Sequence, residues 1–325
     1  MATKSERLAV LSDAERFALY GLPDFDEGQR LEHLSLSEPE LALVSSRPGL
    51  RSQVYCALQI GYFKAKNAFF QFAWHDVQDD MVFVLSRYFE NRSFEQRTVP
   101  KNERLSQRAT ILELFAYRAW SAEFLRELVL KASQIVRRDV TAGFVVAELI
   151  AHLKEQKIVR PGYTTLQTLI SEALAYERRR LGSLLGDVLD DESRSALAQL
   201  LVHDETLSDL AALKQDAKNF GWRQMARERE KRVKLEPLHR IAKTLLPRLE
   251  VSKQNLLHYA SLANFYTIYD LRRLKPDQTN LYLLCYVWRG IANSRTIWSM
   301  LRDTTSSSSK RRASFAQTSS SSRSR

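Results

Sequence analysis

Two cysteines, ten glycines and eight prolines are few for 325 residues, and each scarcity closes a class of fold. Two thiols, Cys56 and Cys285, sit in separate apolar runs and cannot staple a small secreted scaffold. They fit buried free thiols in a reducing cytoplasm. Long stretches without glycine or proline exclude a turn-rich all-β architecture and favour helices. No uninterrupted apolar run reaches the ~18 residues that a membrane span needs, and the N-terminal segment lacks the apolar core of a secretory signal. The six histidines show no metal-ligand spacing with one another or with the cysteines. Phosphate-binding glycine loops and the G-x-S-x-G elbow are missing as well. The sequence therefore points to no cofactor, no metal site and no catalytic residue, and to no enzyme activity of this chain alone.

Positive charge is what the chain has in excess. The formal net charge is +11. Residues 1–50 hold five Lys/Arg against nine Asp/Glu, a net of −4, so the rest carries +15. A basic body favours a polyanionic partner, with nucleic acid first among them.

Helix signals run through the chain. Ser12 with Glu15, and Ser37 with Glu40, form capping boxes, the second followed by Pro39 in the first turn. The spacing of Val54, Leu58, Gly61, Tyr62, Ala65 and Phe69 predicts a helix from about Leu50 to Phe72 with one buried face. Its aromatic neighbours read as core. Met81–Phe89 reads as another helix, and Glu90–Asn102, which contains Pro100, as a linker. Helices are expected over Ile111–Trp120, after Ser121, and from Asp139 through Leu153. Shorter pieces follow Gly182, around Leu184–Leu189 and Ala196–Val202. Pro237 and Pro247 read as breaks. Ser252 opens a helix through Leu274, and Pro276 opens one through Leu301. Thr304–Arg325 holds ten serines and five Lys/Arg with no acid, a composition that cannot bury a core and is expected to be disordered. The acidic doublets Asp79–Asp80 and Asp190–Asp191 sit at helix starts, where carboxylates oppose the helix dipole.

The expected fold is all-α: tandem helical bundles with helix-turn-helix-like modules. The divisions are 1–100 and 101–203, two DNA-binding domains, then 204–303, a helical linker or scaffold, and the tail 304–325. Lys157–Leu181 carries the clearest unit. Residues 139–156 brace, Val159–Gly162 turn, and a second helix starts at Thr164. A recognition helix presents its N-terminal residues to base edges. Here those are Thr164, Thr165, Gln167 and Thr168, with Arg160 and Tyr163 placed to grip phosphate and Arg178, Arg179 and Arg180 further along. The same pattern also fits a plain helical hairpin with solvated arginines. Arg47, Arg51 and Gln53 repeat the outline around the first Arg-Pro-Gly turn.

Several stretches resemble one family. LSDAERFALYGLPDF, LSLSEPELALV, LRSQVYCALQIGYFKAKNAFF and RATILELFAYRAW stand in the order in which they occur there. KIVRPGYTTLQTLISEALAYERRRLGSLL, LSDLAALKQDAKNFGWRQM and LHYASLANFYTIYDLRRLKPDQTNLYLLCYVW follow. Together they are similar to the N-terminal part of Tn-three family transposases, the large enzymes of class II replicative transposons. The resemblance covers about residues 8–290. It implies double-stranded DNA as partner, namely the terminal inverted repeats of a transposon, with full-length transposase as a further one. It also implies that the carboxylate-metal domain lies downstream in the family, so that this chain reads as a truncated form without that chemistry. The alternative is a helical scaffold for protein partners.

Overall fold

The computed structural model describes residues 10–202, 209–214 and 222–291, and these are helical throughout apart from loops and one isolated β-bridge. The Ser/Arg tail and the expected end of the last helix at Leu301 lie outside the described residues. Contacts group the chain into two units. The first takes residues up to Val136 together with Thr141–Leu174; the second takes Arg137–Val140 and residues from Ala175 onward.

The first unit begins with α1 (Asp13–Tyr20), α2 (Glu27–His33) and α3 (Glu38–Ser45). The Ser12 capping box forms as the sequence indicates: Ser12 Oγ accepts from the Glu15 N–H, and Glu15 returns a bond to the Ser12 N–H at 2.8 Å. Glu40 likewise accepts from the Ser37 N–H at 2.8 Å. Asp26 with Gln29 makes a third box, at the head of α2.

At the centre of this unit stands α4 (Gly49–Lys66), and it differs from the expected helix in two ways. It stops at Lys66 rather than Phe72, because Asn67 takes the left-handed conformation (φ 48°) that ends helices. It is also buried on all sides: every residue from Val54 to Phe63 is buried. A single apolar face was expected from the three- and four-residue spacing of Val54, Leu58, Gly61, Tyr62, Ala65 and Phe69, which leaves out polar Ser52 and Gln59. Inside the fold both are satisfied. Gln107 donates to Ser52 Oγ at 2.8 Å, and Gln59 exchanges two bonds with the backbone of Phe70. Buried polar groups that are fully bonded are compatible with a core. The aromatic residues after Asn67 fold back as an extended strap: Tyr55 stacks on Phe72 at 5.0 Å and Phe63 meets Phe69 at 5.0 Å. Gly61 permits the close approach of α2, since a Cβ there would lie 2.3 Å from Leu34 Cδ2.

A 3₁₀ turn (Trp74–Val77) and α5 (Gln78–Tyr88) close one side of this core. The stretch 89–100 packs on it through Val99 and through Trp74 Nε1, which donates to the Arg97 carbonyl at 3.0 Å. Then come α6 (Lys101–Leu114), α7 (Phe124–Arg138), α8 (Ala142–Glu155) and α9 (Tyr163–Val188). Helix α8 starts after Thr141, two residues beyond the expected cap at Asp139. Helix α9 runs through Gly182 instead of ending there. Glycine at 182 and 186 leaves room for Asp277, whose Cβ would lie 3.4 Å from a Cβ at 182.

The second unit adds α10 (Asp191–Gln199), α11 (Asp209–Leu213), α12 (Trp222–Leu245), a 3₁₀ turn (Leu246–Leu249), α13 (Lys253–Phe265), α14 (Ile268–Arg273) and α15 (276–291). Pro237 does not break α12. Proline removes the bond to the carbonyl four residues back, and that residue, Val233, is 67% exposed, so water can replace the bond. The helix expected over 252–274 is split at Tyr266–Thr267, where Thr267 caps α14 by accepting from the Asp270 N–H. Asn255, fully buried, holds Arg137–Val140 within this unit: its side chain accepts from the Val140 N–H at 2.8 Å and donates to the Arg137 carbonyl at 3.1 Å.

Candidate nucleic-acid interface

The approach to α9 is a fixed loop. Lys157 adopts φ 53°, which turns the chain after α8. The Arg118 N–H then donates to the Lys157 carbonyl at 2.7 Å, and the Val159 N–H to the Arg118 carbonyl at 3.0 Å. Ile158 and Val159 bury their side chains. The Tyr20 hydroxyl donates to the Pro161 carbonyl at 3.2 Å. This connection, residues 156–162, is longer than the three- to four-residue turn of a standard helix-turn-helix.

Around this loop the fold gathers groups that are distant in sequence. The Arg160 guanidinium lies over the Tyr20 ring at 4.9 Å. Tyr20 meets Tyr163 edge-on at 5.7 Å, and Arg16 lies over Tyr163 at 5.7 Å. Lys66, at the end of α4, donates to the Gly21 carbonyl at 2.8 Å. Burial lowers the pKa of Arg160, and burial followed by the charge of Arg160 lowers that of Lys66. Burial pushes the Tyr20 phenol up to about 12, against the opposing pull of Arg160. Among the described residues no carboxylate pairs with Arg160 or Lys66, and Arg16 has only the exposed Asp13, at 3.3 Å. Arg160 Nε and Nη2 are buried with no acceptor. Leaving a buried donor unsatisfied costs about 1–3 kcal/mol, so the arrangement is one that an incoming anion would relieve. Local sequence signals could not reveal the group, because Arg16, Tyr20 and Lys66 come from α1 and α4.

Thr164, Thr165 and Thr168 lie exposed on the first turns of α9, and Gln167 is half-buried beside them. Leu166, Leu169 and Ile170 anchor the opposite face in the core. The remaining expected residues stand elsewhere. Arg47 donates through Nη2 to Thr110 Oγ1 at 2.9 Å, and Gln53 donates to the Arg47 carbonyl at 3.1 Å, tying down the turn before α4. Arg51 is half-buried with its Nε unpartnered. Arg178, Arg179 and Arg180 belong to the second unit. There Arg178 and Arg179 are exposed, and Arg180 grips the buried Glu177 with two bonds of 2.8 Å.

The acidic doublets serve the fold. Asp80 is buried, accepts from Arg30 Nε and from the Tyr62 hydroxyl at 2.8 Å each, and so locks α2, α4 and α5. Asp190 caps α10 by accepting from the Ser193 N–H at 2.7 Å. Cys56 and Cys285 are free and buried; burial pushes the Cys56 thiol up to about 11 and that of Cys285 higher. No helix among the described residues is long and apolar enough to cross a membrane.

Residues 10–173 match a domain of unknown function, DUF4158. The transposase for transposon Tn21 of Escherichia coli is 24% identical over 295 residues, which is 88% of this chain and 29% of that protein. The transposase for transposon Tn501 of Pseudomonas aeruginosa is 20% identical over 206 residues, 60% of this chain and 20% of that one. The chain thus spans less than a third of the length of these relatives.

Proposed function

Because this chain belongs to the DUF4158 family and is related to Tn-three family transposases, we propose that it is a DNA-recognising protein of transposition. In this reading it binds the terminal inverted repeats of a transposon through its first unit. Thr164, Thr165, Gln167 and Thr168 meet base edges, while Arg160, Arg16 and Lys66 hold the backbone. The observation that carries the reading is Arg160, a half-buried guanidinium with two buried donor nitrogens that meet no acceptor among the described residues, placed beside the exposed start of α9. The family match ends at residue 173 and the first unit at Leu174, which supports treating that unit as the recognition module.

The test is a gel shift comparing the terminal repeat with scrambled DNA at ~150 mM salt, where nonspecific phosphate binding is weakened. A clear preference for the repeat is expected. Gln167→Ala or Thr168→Ala should then reduce discrimination by about 1–3 kcal/mol. Equal binding to both DNAs would sink the proposal and favour a protein scaffold.

A further inference from the structure

Helix α6 carries a second set of cations that the reading above does not use. It follows Pro100 with no side-chain cap and opens on Lys101, where a carboxylate would better oppose the helix dipole. Lys101, Arg104 and Arg108 stand at i, i+3 and i+7, which puts them on one stripe. Gln107, Ile111 and Leu112 flank the stripe on the same half of the helix and fix its rotation. Gln107 is buried and donates to Ser52, and Ile111 and Leu112 sit in the core.

The stripe forms one wall of a cleft of about 180 Å³, and Tyr55, Phe69 and Phe70 form the other. No carboxylate lines this cleft among the described residues. Glu103, the acid of the first turn, is not in its lining. No ion pair holds any of the three cations among the described residues. Arg104 donates to the Tyr55 hydroxyl while its Nε is buried with no acceptor among the described residues, and the Arg108 guanidinium lies over Phe69 at 4.9 Å. Burial lowers the pKa of Arg108, as expected for a charge that lacks a counter-ion.

Three points select the ligand. Seven residues of helix advance about 10 Å, and one DNA strand presents a phosphate about every 3.4 Å along the axis. The stripe therefore spans about three phosphate steps, so its three cations can meet successive phosphates and exceed a single small anion. The aromatic wall is already used: Phe69 packs on Phe63 at 5.0 Å and Tyr55 on Phe72 at 5.0 Å, which leaves no platform for an unpaired base. Finally, Phe70 joins the cleft to the Arg160 group, since Lys66 lies over its ring at 6.0 Å. The two basic sets border the same segment at the end of α4.

We infer that the Lys101–Arg104–Arg108 stripe is a second anchor for the DNA backbone, contacting consecutive phosphates of one strand without reading bases. This rests on the DNA-binding reading above.

The experiment is fluorescence anisotropy of the full chain with labelled duplexes, one holding the terminal repeat and one scrambled, over a range of salt. Each phosphate contact contributes about 0.9 to the slope of log affinity against log salt. Lys101→Gln, at an exposed position, should lower the slope by about 1 on both duplexes, and K101Q/R104Q/R108Q by about 2–3. The preference between duplexes should stay unchanged, and R104K/R108K should keep the wild-type slope. If circular dichroism shows the triple variant unfolded, K101Q and R104K/R108K decide. Wild-type slope and affinity in the charge-removing variants, with Arg160→Gln still impaired, would overturn this inference and leave the DNA-binding reading standing. A changed preference would overturn the assignment to the backbone. Wild-type protein that binds neither duplex would overturn both.

Discussion

Arg160 and Arg180 are both half-buried arginines that the sequence marks as basic, and the fold uses them in opposite ways. Arg180 spends its fork on Glu177, whose side chain is 2% exposed, and those bonds raise the arginine's pKa. Among the described residues Arg160 has an aromatic ring beneath it and no carboxylate partner, and burial lowers its pKa. An arginine with a buried partner is a fastener. One held in place without a partner is, under the proposed function, the group that meets a phosphate. Net charge cannot separate the two roles, whereas the identity of the neighbour can.

That contrast can be broken most forcefully at Glu177. Glu177→Ala leaves half-buried Arg180 without its counter-ion, and urea denaturation should show a loss of about 2 kcal/mol, below the ~3–5 kcal/mol of a fully buried pair; a neutral result would dissolve the distinction. Arg160→Gln should behave in the opposite sense. Stability should change by less than about 1 kcal/mol, the worth of the ring contact, while the salt dependence of DNA binding falls by about 1 in slope. Tyr20→Phe sharpens the first side further. It removes the bond to Pro161 and should cost about 1 kcal/mol or less in stability, while weakening binding through the loop it releases. The smallest effect concerns pH and belongs to the second unit. Burial, with Arg178 adding to it and Asp139 opposing, lowers the pKa of His258. Above about pH 6.5 the imidazole is neutral in both folded and unfolded chains. As pH falls the unfolded chain takes up the proton first, so stability drops until the lower folded pKa is passed. Melting curves between pH 7 and 5 should show this slope in the wild type and a shallower one in His258→Gln.

The helical class and several caps were legible because those signals are local. Ser12, Asp190 and Ser252 act at the positions where their side chains meet the backbone of the following turn, and at Ser37 the Glu40 carboxylate accepts from the backbone N–H. Helix α4 was harder. Periodicity assumes that polar residues mark the solvent face, and Ser52 and Gln59 find their partners inside the protein. Pro237 was read as a break because the sequence does not show that the lost bond falls on an exposed turn. For the interface, the start of α9 could be read from its threonines. The cluster of Arg16, Tyr20 and Lys66 around Arg160 could not, since it is assembled by tertiary packing. Nor does charge in the sequence tell that Arg180 is spoken for.

The loop before α9 has a consequence for time as well as for place. Residues 157–161 are pinned by two backbone bonds to Arg118 and by the Tyr20 hydroxyl. A segment already held in one shape has little disorder to lose when a partner arrives. Complex formation should therefore need no slow rearrangement of this loop. In stopped-flow mixing the signal should rise in a single exponential, with a rate that grows linearly with DNA concentration.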